Sequence, residues 1–234
     1  MNEPKSMNII AKGALILLIG AIIGKLLSFI YRIILARLGE QTYGEISLAL
    51  ALLSILSVIA VLGLDTGIVK YISIFNKEQN KEAIKGTILF SSKTIFLIST
   101  SFAILLFLLS DWITQTFYPH SPSISLILKV FAIALPFEAL KAVWTNTLKA
   151  LQKIEYDIYA RVIGEIIVRI LLTVLFISMG LGILGASIAY TLSIIFSSLL
   201  LFIFVEKKVF SIQNKTIKAL YNNKELLTYS LPLV

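Results

Sequence analysis

Residues 183–205, ILGASIAYTLSIIFSSLLLFIFV, run for 23 positions without a charged side chain. A hydrocarbon core about 30 Å thick takes roughly 20 residues of α-helix at about 1.5 Å per residue, so this segment can cross a bilayer as one helix. Five further apolar stretches of similar length lie at residues 9–34, 43–67, 86–109, 124–147 and 156–179. Barrel strands need only about 9 to 11 residues, and in lipid every backbone amide must find its partner inside its own segment or in a closed barrel. The pattern therefore predicts an all-α integral membrane protein, a six-helix transmembrane bundle.

Composition points the same way. With 58% hydrophobic residues and a mean hydropathy of +0.92, the chain has too little polar surface to cover a water-soluble core of this size. The net charge of +8 raises the question of nucleic acid, but no groove-reading motif or basic face with stacking aromatics accompanies it. The charges sort by loop instead. Twelve Lys and Arg residues fall before the first span, between the second and third, between the fourth and fifth, and after the sixth, and Lys12 and Arg161, near the starts of the first and fifth stretches, add to the same side. The opposite loops, 38–42, 110–123 and 180–182, have none, although Arg37 borders the first. By the positive-inside rule the N-terminus and the far end of the chain are expected on the cytoplasmic side of the plasma membrane. A secretory signal over the first apolar run is disfavoured, because no small-residue cleavage site follows and the apolar pattern resumes. Cysteine is absent, which removes disulfides, thiolate metal sites and thiol catalysis.

Short glycine-flanked tips at Gly39–Gly44 and Gly180-Leu181-Gly182 make hairpins of spans one and two and of spans five and six. Trp112, Phe117 and Tyr118 in the outer loop form an interfacial aromatic belt. The expected organisation is a six-helix lobe at 1–205, a cytoplasmic basic linker at 206–225, and at 226–234 the opening of a seventh helix that stops short, as in one lobe of a larger protein.

An ionisable side chain at mid-membrane costs about 2.5–3.5 kcal/mol on insertion scales, so each one requires a reason. Lys25, Arg32, Lys93, Lys129, Lys141 and Arg169 lie within spans, against chiefly Glu138 and Glu165. This basic excess points to an anionic ligand. Lys25 and Arg32, seven residues apart, fall on nearly the same helical direction with Ser28 between them, forming a stripe that either lines a cavity or reaches the boundary by snorkelling. Glu165 and Arg169 stand i,i+4 in the favourable order, either as a self-neutralising pair or facing a substrate. Pro136 removes a backbone donor in span four, with Glu138 and Lys141 just beyond it, so a bend is expected there. Lys93 and Lys129 lie near span ends and read as snorkelling side chains.

Catalytic constellations are missing. His120 is the lone histidine, and there is no phosphate-binding glycine loop or Asp-x-Asp pair, so a non-enzymatic protein without metal or cofactor is expected.

The stretch RIILARLG at 32–39, then Tyr43-Gly44, Leu48-Ala49 and GLDTGIVKY at 63–71, resembles the N-terminal region of polysaccharide biosynthesis flippases of the multidrug/oligosaccharidyl-lipid/polysaccharide exporter superfamily. The similarity extends through all six spans, and Ser230-Leu231-Pro232-Leu233 resembles the start of the family's seventh helix. The resemblance implies one lobe of a V-shaped bundle of about twelve or fourteen helices. Such a bundle moves a polyprenyl-diphosphate-linked oligosaccharide across the membrane by alternating access. The partners it implies are that glycolipid, membrane lipids, a second lobe or other glycan-assembly proteins, and a coupling ion, H+ or Na+. Lys25, Arg32 and Arg169 are then expected to contact the diphosphate or acidic sugars, with Glu138, Lys141 and Glu165 tuning the site or coupling it to the ion. Alternatives are a drug or cation antiporter of the same superfamily, in which acids should dominate the cavity, a membrane-embedded glycosyl- or acyltransferase subunit, and a non-transporting scaffold.

Overall fold

The computed structural model describes residues 3–221 and 223–230 of the 234-residue chain. Among the described residues the secondary structure is helical throughout, in the order α1 (Glu3–Ala36), α2 (Glu40–Val61), α3 (Leu64–Lys77), α4 (Lys81–Phe117), α5 (Ser123–Ala150), α6 (Glu155–Tyr159), α7 (Val168–Ser178), α8 (Gly182–Phe204) and α9 (Asn223–Ser230). π-helical winding at Ala160–Ile167 joins α6 to α7, and a second π turn, Val205–Val209, extends α8. Among the described residues five helices are individually long and apolar enough to cross a membrane. The sixth crossing is the unbroken run of residues 155–178, which the π segment divides into three pieces. Large apolar side chains such as Leu26, Phe29, Val58, Leu97, Leu108 and Leu171 stand exposed, which suits a lipid solvent. The chain is a multi-pass membrane protein.

Both expected hairpins are present. Gly39 at the first tip (φ 105°) and Gly180 and Gly182 at the second (φ 81° and 49°) adopt backbone that only glycine takes without strain. The second span differs from expectation. Residues 43–67 do not form one helix: Leu62 and Gly63 both turn left-handed (φ 51° and 64°), α2 ends at Val61, and α3 restarts at Leu64 and continues to Lys77. Two consecutive left-handed residues cannot continue a right-handed helix. The connection from α3 to α4 is correspondingly short, since Lys81 already opens α4 under an N-cap in which Asn80 Oδ1 accepts the Ala83 amide at 3.0 Å.

α5 is the central element, packed on α2, α3, α4 and α8. Its buried face divides between two hydrophobic clusters stacked along the bundle. One takes in Ile124, Ile127, Leu128, Phe131 and Leu135 with α1, α2 and the first half of α8; the other takes in Ala139, Val143 and Leu148 with α3, the start of α4 and the end of α8. Pro136 is buried inside α5 at the junction of the two. Several buried hydroxyls satisfy themselves by donating to the carbonyl one turn back, as Ser99 does to Ile95 at 2.6 Å and Thr147 to Val143 at 2.8 Å.

Residues 206–221 fold back on the end of the bundle. The Glu206 carboxylate accepts the Ile212 amide at 2.7 Å, Lys85 Nζ donates to the carbonyls of Asn214 (2.7 Å) and Ile217 (3.0 Å), and the Leu220 amide donates to the Glu82 carbonyl at 3.0 Å. A Cβ on Gly86 would collide with the Leu220 carbonyl, so this approach requires glycine. α9 then lies on α3, starting at Asn223 rather than 226, with the Lys70 ammonium 3.6 Å over the Tyr229 ring. The expected helix opening at Leu231–Val234 lies outside the described residues. Hydrogen bonds from a charged donor contribute about 1.5–3 kcal/mol each. Lys85→Met is therefore expected to release residues 206–221 and to speed tryptic cleavage at the exposed Lys215 and Lys218, read as fragment appearance on a gel; an unchanged cleavage rate would show that Lys85 does not hold the segment.

Candidate functional site

Six residues of α5, Glu138, Lys141, Ala142, Thr145, Asn146 and Lys149, line one side of a cleft of about 730 Å³. Their spacing of three and four places them on one helical stripe. The facing wall carries Asp157, Arg161 and Glu165 from the run 155–178, Ser57, Gly63 and Asp65 from the α2–α3 region, and Ser197 from α8. A polar cleft in a lipid-solvated bundle is where hydrophilic matter can sit.

At its inner edge four charges form a chain. Lys141 Nζ lies 2.8 Å from Glu138 Oε2 and 2.6 Å from Glu165 Oε2. The other Glu165 oxygen accepts from Arg169 at 2.5 Å. Arg169 in turn donates its Nε proton to Ser193 Oγ at 3.2 Å and stacks 3.8 Å over the Tyr190 ring, with the Tyr31 ring of α1 at 5.5 Å. The planar guanidinium serves salt bridge and stacking at once, which an ammonium could not. Two cations and two carboxylates make the chain neutral, and it links α1, α5, α8 and the run 155–178. At the cleft's rim Asp157 repeats the motif, accepting from Thr145 Oγ1 at 2.8 Å and from Arg161 at 2.7 Å.

Of the residues singled out in the sequence, Glu138, Lys141 and Glu165 line the cleft together, and Arg169 sits behind them, buried. The basic excess expected inside the bundle is not what the cleft shows: Lys141 and Arg169 are matched there by Glu138 and Glu165. Lys25 and Arg32 are exposed on α1, away from the cleft lining and with no ion-pair partner among the described residues. Lys129 pairs with Asp111 at 2.8 Å, and Lys93 is exposed.

Sequence reasoning missed Asp157, Arg161, Thr145 and the tyrosines around Arg169. One signal was available: Asp157, Arg161, Glu165 and Arg169 recur every four residues with alternating sign. In an α-helix such positions drift about 40° per step and separate by roughly 120° over the series. The wider π winding at Ala160–Ile167 turns less per residue and counters that drift. Ser197 Oγ donates to the Ala160 carbonyl at 3.3 Å where this winding begins, and Gly164 lets α8 approach closely.

With this geometry in view, the fold is that of one half of a MOP-superfamily transporter. The chain aligns with a multidrug resistance MATE family transporter of that superfamily in its inward-facing conformation (TM-score 0.71, 19% identity, 89% of this chain and 49% of the other). The outward-facing conformation of a multidrug resistance MATE family transporter aligns as well (TM-score 0.71, 19% identity, 94% and 50%). So does a MOP superfamily transporter from Pyrococcus furiosus, whose reverse binding-pocket polarity suggests a different function (TM-score 0.75, 19% identity, 94% and 50%). The chain thus spans about half the length of these structures. No curated protein matches it significantly. Residues 10–234 match the family described as polysaccharide biosynthesis protein, and the chain belongs to that family.

Removing one partner from a buried charge chain leaves the other uncompensated, at a cost of about 3–5 kcal/mol. Glu165→Leu, which leaves Arg169 uncompensated while Lys141 keeps Glu138, is expected to lower the thermal unfolding midpoint in detergent far more than the double variant Glu165→Leu/Arg169→Met, and equal midpoints would show that the two side chains are uncoupled. Arg169→Lys, which keeps the charge and loses the fork and the stack, is expected to destabilise as well, by about 1–3 kcal/mol.

Proposed function

We propose that this chain is one half of an alternating-access transporter that moves a polyprenyl-diphosphate-linked oligosaccharide across the cytoplasmic membrane for surface-glycan biosynthesis. The observation that carries the reading is the polar cleft with its intramembrane charge chain, since ionisable groups held within a membrane bundle mark the path of a substrate or ion. Family membership supports a glycan passenger. The two lobes of such a transporter share a cavity, so an exposed face of one half becomes a cavity wall when the second half stands opposite it. On that wall Lys25 and Arg32 are the unpaired cations that meet the diphosphate. Glu138, Lys141, Glu165 and Arg169 form the polar floor, where Glu138 and Glu165 couple transport to H+ or Na+. The N-terminus lies on the cytoplasmic side, as the basic loops require. The chain is non-enzymatic in this reading, and its partners are the glycolipid, the surrounding lipids and the second lobe.

A drug or cation antiporter is the second reading. The acids of the cleft, Asp65, Glu138, Asp157 and Glu165, outnumber its bases, Lys141, Lys149 and Arg161, which favours a cationic passenger. Neutralising Lys25 and Arg32 together to Gln in the full-length protein separates the two. Glycan export, followed as lipid-linked oligosaccharide reaching the outer leaflet, is expected to be lost while membrane insertion is kept. Unchanged export would remove both residues from the site, and energy-dependent efflux of a cationic dye would establish the antiporter.

A further inference from the structure

A second groove, of about 540 Å³, lies on the other side of the bundle, against α4. Leu89, Phe90, Lys93, Thr94 and Leu97 form its wall, and Tyr221 from the returning segment forms its lip. Its construction is specific: the Lys85 clamp on Asn214 and Ile217, and the passage of Leu220 over Gly86, set Tyr221 beside α4. The depth of the groove follows from the length of α4. At 37 residues the helix is far longer than a bilayer core requires. Lys93 and Trp112 are about 19 residues apart, roughly 28 Å of helix, so with Trp112 in the outer interfacial belt Lys93 lies at the opposite boundary of the hydrocarbon. There it is exposed and has no ion-pair partner among the described residues.

An apolar slot closed by an unpaired ammonium and a tyrosine, at the level where head groups meet acyl chains, has the charge and polarity profile of one lipid type. We infer that this groove binds a single anionic phospholipid, with its phosphate on Lys93 Nζ beside Tyr221 and an acyl chain along Leu89, Phe90 and Leu97. A zwitterionic lipid would bring a second cation against Lys93 and loses the advantage. The site is separate from the transport cleft and does not depend on the reading of that cleft.

The test is native mass spectrometry of the full-length protein in detergent, titrated with phosphatidylglycerol or phosphatidylcholine. The wild type and the control Lys207→Gln, an exposed lysine outside the groove, are expected to retain one tightly bound phosphatidylglycerol. Lys93→Gln should bind it about fivefold more weakly, the share of one interfacial lysine, and Tyr221→Ala should weaken it too. Equal retention by Lys93→Gln and the wild type overturns the site, as does equal binding of phosphatidylcholine or displacement of the lipid by inorganic phosphate. Should Lys93→Gln fail to fold, thermal stabilisation of the wild type decides: a rise with phosphatidylglycerol but not phosphatidylcholine supports the site, and equal rises overturn it.

Discussion

Charge inside a hydrocarbon solvent has nowhere to go but to another charge, and the chain from Glu138 through Lys141 and Glu165 to Arg169 is the arrangement on which the rest of this bundle depends. Water would solvate four such groups separately. Lipid would not, so each must be held within hydrogen-bonding distance of its partner by the helices that carry it. Because Lys141 stands on α5 and Glu165 on the run 155–178, the pair fixes how those two helices face each other, and Arg169 extends the constraint to α8 through Ser193 and Tyr190.

The location of this chain explains the cleft. It lies between two apolar clusters on α5, where Pro136 and then Glu138 interrupt the run of buried aliphatic side chains. Polar groups there hold the neighbouring helices at salt-bridge distance instead of letting them close by side-chain interdigitation, and the residual space is the cleft lined by Glu138, Lys141 and Glu165. Association in lipid draws little on the hydrophobic effect, so small residues and polar contacts set the remaining interfaces, as at Gly164 against α8 and Ser197 on the Ala160 carbonyl.

The opposite strategy operates at the end of the bundle bearing the basic loops. There Lys85 is buried without a carboxylate and is satisfied by two backbone carbonyls of the returning segment. The basic stretch after α8 is consequently a fitted part of the lobe up to Tyr221, and it delivers α9 onto α3.

Hydropathy alone determined the membrane solvent, the number of crossings and the two glycine hairpins, because span length is set by bilayer thickness and a tight tip by backbone sterics, both local properties. It did not reveal the break at Leu62-Gly63, which falls inside an unbroken apolar run, or the π winding at 160–167, which leaves residue types unchanged. The i,i+4 pair Glu165–Arg169 was legible because a helix imposes that proximity. Its neutralisation by Lys141, 24 positions away in sequence, was not, nor was the outward aspect of Lys25 and Arg32, since periodicity shows which residues share a face and never what that face looks upon. Those choices belong to the tertiary structure: only when the helices pack does each charge acquire a distance to its partner, and in a medium without water that distance decides which cations are spent on structure and which remain free to meet a ligand.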